Sequence, residues 1–177
     1  RKNWSEALSR AEMDACVQAI LKAKSIYIVG VRSSAALAAF LNFYLRNMFE
    51  NVRLVGSTST SEMFEQLLRV GPEDVVIGFS LPRYSSRTVK VMQYAHDTGA
   101  TCIAVTDKPD APAGKVADHV LVAKSDMVSV VDSLVAPMSV VNALVVSLAQ
   151  EQQTQMAKTY EDLETLWDEY DVYERVE

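Results

Sequence analysis

Five apolar runs of strand length, at 26–29, 52–55, 75–79, 102–105 and 120–122, alternate with segments whose apolar residues recur at helical spacing. This alternation constrains the fold more than any other feature, because it spells successive βαβ units and hence a parallel sheet. Runs such as Ile26-Tyr27-Ile28-Val29 show no polar alternation, as strands buried on both faces require. The expected class is therefore α/β, a three-layer α-β-α sandwich around a five-stranded parallel sheet. Gly71-Pro72 and Gly99 follow helical patterns and precede strands, where helix stops belong. An amphipathic helix is expected over 4–23, ahead of a core at about 24–150, and a long buried helix over 129–150. Met156, Tyr160, Leu163 and Trp167 follow one another at steps of four, three and four, which predicts a second flanking helix over 151–170 packed on something.

With 177 residues, 49% of them hydrophobic, the chain suits one domain, 1–177, with a core of its own. Its 17 Lys and Arg against 23 Asp and Glu give a net charge of −6, which argues against direct contact with nucleic acid. Cys16 and Cys102 lie far apart without CxxC spacing and read as buried free thiols in a reducing, cytoplasmic setting. The most apolar stretch, 134–149, is too short to span a bilayer comfortably and is broken by Pro137, Ser139, Asn142 and Ser147, so no membrane association is expected. That helix and the Trp167 stripe offer more apolar face than one small sheet needs, which predicts a homodimer. The chain opens on Arg1-Lys2-Asn3-Trp4 rather than Met, as an excised part of a longer protein would.

In an open parallel sheet, ligands sit beyond the carboxyl ends of the strands, so the loops after the strands carry the function. After the first strand comes Gly30-Val31-Arg32-Ser33-Ser34-Ala35, and after the third comes Gly78-Phe79-Ser80-Leu81-Pro82-Arg83-Tyr84-Ser85-Ser86-Arg87-Thr88. A dinucleotide fingerprint would need glycines where Arg32 and Ala35 stand. Pro82 occupies the second glycine of a GxSxG elbow, so Ser80 is not expected to be a nucleophile. His96 and His119 have no metal-ligand spacing, and neither metal nor cofactor is expected. What the two loops share is hydroxyl groups and positive charge at helix starts, which suits a phosphate ester. Ser80, Ser85, Ser86 and Thr88 can donate through hydroxyls, and Arg83 can offer its planar fork. The competing account makes Ser85 or Ser86 a helix cap and leaves Arg83 and Arg87 solvated.

GVRSS with its alanine-rich helix, FSLPRYSSRT, VTDKPDAPAGKVADHVL and DSLVAPMSVVNALV together resemble the sugar isomerase (SIS) family, with its flavodoxin-like sheet. Within it they resemble the phosphosugar-sensing domain of MurR/RpiR-type bacterial transcription regulators, over about 7–173. The resemblance implies sugar contacts at Ser33 and Ser34 and a phosphate loop at Ser80, Arg83, Tyr84, Ser85 and Thr88. It also implies a dimer, and DNA contacted only by a helix-turn-helix domain upstream of this chain. Two departures bear on ligand choice: Arg32 stands where a second glycine is common, and Ala111 replaces a frequent serine before Pro112. Tyr84 can cover a sugar's apolar face or pack its own loop, and Asp107 can accept from a sugar hydroxyl or stabilise a turn.

The function expected is a non-enzymatic sensor that couples sugar-phosphate occupancy to DNA binding by a separate domain. An isomerase with Glu62 or Glu65 as base is the alternative, although Ser59-Thr60-Ser61-Glu62 also fits a helix capping box. A purely structural dimerisation module is the third reading.

Overall fold

The computed structural model describes residues 4–56, 58–124, 133–174 and 176. In chain order these form α1 (Trp4–Lys22), β1 (Ser25–Val29), α2 (Ser34–Met48), β2 (Val52–Leu54), α3 (Thr60–Gln66) and β3 (Asp74–Ser80). There follow α4 (Ser86–Asp97), β4 (Thr101–Thr106), α5 (Pro112–Val116), β5 (His119–Val122), α6 (Val135–Glu151) and α7 (Gln153–Glu169). The strands make one five-stranded sheet in the order β2-β1-β3-β4-β5, and every pair is parallel. The expected helix over 129–150 begins partly in residues outside those described, and its described part is α6. The short helix α5 had no counterpart in the periodicity, because five residues are too few to show one.

Side chains alternate across the central strands, yet both faces are apolar. Ile26, Ile28, Ile77, Phe79 and Ile103 point to one side, where α1, α2 and α6 cover them with residues such as Ile20, Leu41 and Leu144. Tyr27, Val29, Val76, Cys102 and Ala104 point to the other, beneath Met63 of α3, Met92 of α4 and Ala113 of α5. Full burial of one such large apolar side chain contributes about 1.5–3 kcal/mol, so the two layers hold the sheet flat against helices on each side. The edge strand β2 differs: Arg53 and Leu54 are exposed, and the Arg53 guanidinium lies over the Tyr27 ring at 5.9 Å.

Helix α7 buries none of its residues fully, but Met156, Thr159, Tyr160, Leu163 and Trp167 are its half-buried positions, and Met156 packs against the cluster under α2. The stripe read from the sequence is therefore the face that α7 turns inward. Gly99 has φ +92° and ends α4, with Gly99 N–H donating to His96 O and Ala100 N–H to Ala95 O, a left-handed stop that favours glycine. Glu12 of α1 accepts the N–H of edge-strand residue Val120 at 3.0 Å and lies 3.7 Å from His119, which ties α1 to the open edge of β5.

The strand order reverses between β1 and β3. Chains leave these neighbouring strands toward opposite faces, which opens a crevice at their carboxyl ends.

Candidate functional site

A cleft of about 320 Å³ occupies that crevice, walled by residues 31–34 after β1 and, at and beyond the end of β3, by residues 79–83 and Ser85. Its size is near the lower end for small-molecule sites. A Cβ on Gly30 would lie 2.6 Å from the Ser34 carbonyl oxygen, so only glycine at the end of β1 lets the first turn of α2 fold this closely over the strand. That close approach brings the N-terminus of α2 to one wall, and the N-terminus of α4 begins the other.

Six expected site residues, Arg32, Ser33, Ser34, Ser80, Arg83 and Ser85, line the cleft together. Ser33 and Ser85 are the N-cap residues of α2 and α4, but neither side chain makes a capping hydrogen bond. Their hydroxyls are thus not engaged with their own helices, which leaves the capping account of Ser85 right about position and wrong about the bond. Ser80 is 2% exposed, and its Oγ makes no hydrogen bond. Thr88, fully buried in the first turn of α4, likewise has an unpartnered Oγ1. An unsatisfied buried hydroxyl costs about 1–3 kcal/mol, so two of them beside one loop need a reason.

Backbone conformation adds a second feature. Arg32 has φ 56° and Arg83 φ 71°, both in the left-handed region. For a residue with a Cβ this costs about 1–2 kcal/mol, and such strain collects at functional sites. The departure at Arg32 is therefore explained in one respect: the position has the backbone that glycine favours, and arginine holds it nonetheless. Among the described residues neither Arg32 nor Arg83 forms an ion pair.

Tyr84 and Thr88 do not line the cleft. The half-buried Tyr84 hydroxyl instead donates to Asp107 Oδ1 at 2.7 Å, tying the loop after β3 to the loop after β4. Loss of hydration, with the carboxylates of Asp107 and Asp110 nearby, pushes the Tyr84 phenol up to about 12. Asp107 also accepts from Thr106 Oγ1 at 3.3 Å, so it acts as a joint between turns. Nothing in the sequence pairs Tyr84 with Asp107, since only the sheet register brings them together.

The remaining candidates lie elsewhere. Glu62 and Glu65 are exposed and off the cleft, and the Ser59 Oγ accepts the Glu62 N–H at 3.2 Å as a helix cap. Ala111 is the N-cap of α5, fully buried, so a serine there would serve that helix rather than the cleft. His96 lies 3.8 Å from Asp118, away from the cleft. Among the described residues no group of three His, Cys, Asp or Glu could hold a metal ion, and no helix is long and apolar enough to cross a membrane.

Two other clefts compete. One of about 460 Å³, at the opposite end of the sheet, holds Lys24, Arg46 and Glu50. It sits at the C-terminal end of α2, where the helix dipole disfavours an anion. Another, of about 430 Å³, is an apolar groove between α1, β5 and α6. Of these three clefts among the described residues, the one at the strand carboxyl ends combines two helix N-termini, two arginines and serine hydroxyls that make no capping bond.

The model of the SIS domain family matches residues 19–147. An HTH-type transcriptional regulator of Haemophilus influenzae is 30% identical over 115 residues, covering 65% of this chain and 39% of that protein. The sugar isomerase domain of the RpiR transcription factor from Sphaerobacter thermophilus superposes with a TM-score of 0.81 at 29% identity, over 88% of this chain and 86% of that one. Vibrio vulnificus NanR, solved with ManNAc-6P, superposes with a TM-score of 0.76 at 18% identity, over 89% and 61% of the two chains, a likeness of fold. The chain thus spans about two fifths of the length of the Haemophilus regulator.

Proposed function

The chain belongs to the SIS domain family, and from that premise we propose that it is the phosphosugar-sensing domain of an RpiR-type bacterial transcription regulator. In this reading it binds a sugar phosphate without transforming it, works as a homodimer in the cytoplasm, and passes occupancy to a DNA-binding domain elsewhere in the protein. The observation that carries the reading is the cleft wall at α4: the unpartnered Ser80 hydroxyl, the N-cap hydroxyl of Ser85 and the unpaired Arg83 converge at a helix N-terminus. A phosphate placed there meets N–H groups, hydroxyls and a guanidinium fork at once. NanR, of the same fold, was solved with a sugar phosphate, which supports the ligand class.

Each expected site residue other than Arg32 has a task in this account. Arg83 and Ser85 hold the phosphate, Ser80 and Thr88 complete the loop's hydrogen bonding when the anion settles against it, and Ser33 and Ser34 face the sugar. Tyr84 positions the loop through Asp107 rather than touching the ligand. Binding changes the conformational equilibrium only as far as the ligand prefers one state, and a loop holding strain at Arg83 is the element such a preference can act on. Glu62 and Glu65 are exposed and absent from the cleft lining, which speaks against either as a base at the sugar.

A thermal-shift screen tests the proposal, because a ligand that binds only the folded state raises the unfolding temperature. Sugar phosphates are expected to raise it and the matching unphosphorylated sugars are not. Equal shifts from both would refute the phosphate assignment.

A further inference from the structure

Resting on the sensor reading above, we infer that occupancy of the cleft is passed to α1 through Tyr84, Asp107 and the loop after β4, and that it closes an apolar groove along α1. Tyr84 lies in sequence between Arg83 and Ser85, the residues that hold the phosphate in that reading, so its position is set whenever they are held. Its side chain leaves the cleft. The hydroxyl donates to Asp107 Oδ1 at 2.7 Å, and the same oxygen accepts from the fully buried Thr106 at 3.3 Å. Thr106 O in turn accepts the Ala123 N–H at 2.8 Å, just past the end of β5. One carboxylate thus joins the phosphate loop to the far edge of the sheet, where α1 packs.

The loop that Asp107 begins is stiff. Ala111 N–H donates to Lys108 O at 3.1 Å, Pro112 starts α5, and a Cβ on Gly114 would collide with the Pro109 carbonyl oxygen, so α5 packs directly on the loop's backbone. A displacement at Asp107 therefore reaches Pro109 instead of being absorbed on the way. Pro109 lines the groove of about 430 Å³ together with Leu8 and Met13 of α1, Val120 and Val122 of β5 and Val140 of α6. Leu8 is 67% exposed and Val122 41%, so apolar side chains border this space uncovered, and closing it takes their surface from water. What ties α1 to the strand here is a side chain, Glu12, which accepts the Val120 N–H at 3.0 Å. Such a tie lets the helix shift by a change of rotamer, without breaking a backbone ladder. An open and a closed groove are then two arrangements of the same contacts, and an anion that fixes Tyr84 in the position of one of them tips the pair.

Amide exchange and amide shifts of the 177-residue chain, read by NMR with and without inorganic phosphate at matched ionic strength, test this. Inorganic phosphate is the probe because the relay starts at the phosphate loop. Raised until the shifts at 83–88 saturate, it should slow exchange at Val120 and at residues 8–22 of α1 about fivefold or more, the lower end of typical coupling between sites. In Tyr84→Phe, phosphate should still saturate the shifts at 83–88 but no longer slow α1. Asp107→Ala should behave the same way, whereas Asp107→Asn, which keeps an oxygen acceptor, should retain the response. Coupling is reciprocal, so Leu8→Ser, at an exposed position outside the cleft, should weaken phosphate about twofold or more in the parent and not in Tyr84→Phe. An α1 that stays unchanged while 83–88 saturates, or that responds equally in Tyr84→Phe, overturns the inference and leaves the sensor reading intact. So does a Leu8→Ser protein that binds phosphate as tightly as the parent. If phosphate shifts nothing at 83–88 in the parent, the α4 cradle falls and this inference with it.

Discussion

Replacing Arg83 by glycine should move stability and affinity in opposite directions. Arg83 sits at φ 71°, where a Cβ costs about 1–2 kcal/mol and glycine pays nothing. Glycine also gives the unfolded chain more freedom, which returns about 0.5–1 kcal/mol of that gain. The ligand-free variant should therefore be more stable by about 0.5–1 kcal/mol, which for a domain of this size raises the unfolding temperature by about 1–4 °C. Binding goes the other way. Arg83 makes no ion pair within the described protein, so its guanidinium is available to a phosphate, and one charge-assisted hydrogen bond contributes about 1.5–3 kcal/mol. Loss of it weakens a sugar phosphate by about tenfold to a hundredfold. Arg83→Ala separates the two effects, because alanine keeps the strained backbone: it should lose the same affinity with little change in stability. Thermal unfolding and calorimetry on the three proteins give the result. Arg83→Gly that binds as tightly as the parent would refute the phosphate role, and one that unfolds several degrees lower would refute the strain argument.

Thr88→Val replaces an unpartnered, fully buried hydroxyl by a methyl of the same shape and should stabilise the ligand-free domain by about 1 kcal/mol, read from denaturant unfolding. Burial, with Glu12 beside Cys16 and Asp118 beside Cys102, raises both thiols from 9.0 to about 12. Neither should label with a thiol reagent at pH 8 until the protein unfolds, because the thiolate fraction falls about a thousandfold; rapid labelling of native protein would contradict this. The sign of the pH effect follows: neutral thiols and the neutral Tyr84 phenol contribute stability that is whole below about pH 9, and it is lost as pH rises toward 12. Light scattering should give a homodimer, because α6 has no charged residue from Val135 to Gln150 and Val135 and Val146 are exposed on it, as is Phe43 on α2; Val146→Glu should then give monomers.

The fold was largely legible because burial on both faces writes an unmistakable pattern. Runs such as Val75-Val76-Ile77 cannot alternate when α2 lies over one face and α4 over the other, so their continuity announced a covered parallel sheet. The cleft was legible for the same reason: once the strands were placed, the loops after β1 and β3 had to meet at one edge. What stayed hidden depends on contacts between distant segments or on backbone angles. The left-handed turns at Arg32 and Arg83 leave no trace in composition, because arginine is not a residue that announces positive φ. Tyr84 found Asp107 through the pairing of β3 with β4, which sequence spacing does not state. Gln66 is a similar case: its amide brackets Gly56, accepting the N–H at 2.7 Å and donating to the carbonyl at 3.1 Å, and so fixes the chain between β2 and α3.

The central claim is that an anion sits at the N-terminus of α4, and backbone amide shifts measured by NMR during titration with a sugar phosphate test it most directly. The largest and saturable shifts are predicted at residues 83–88, with smaller ones at 31–35, and they should be absent with the unphosphorylated sugar. Shifts centred instead on Lys24, Arg46 and Asn51, at the opposite end of the sheet, would contradict the account.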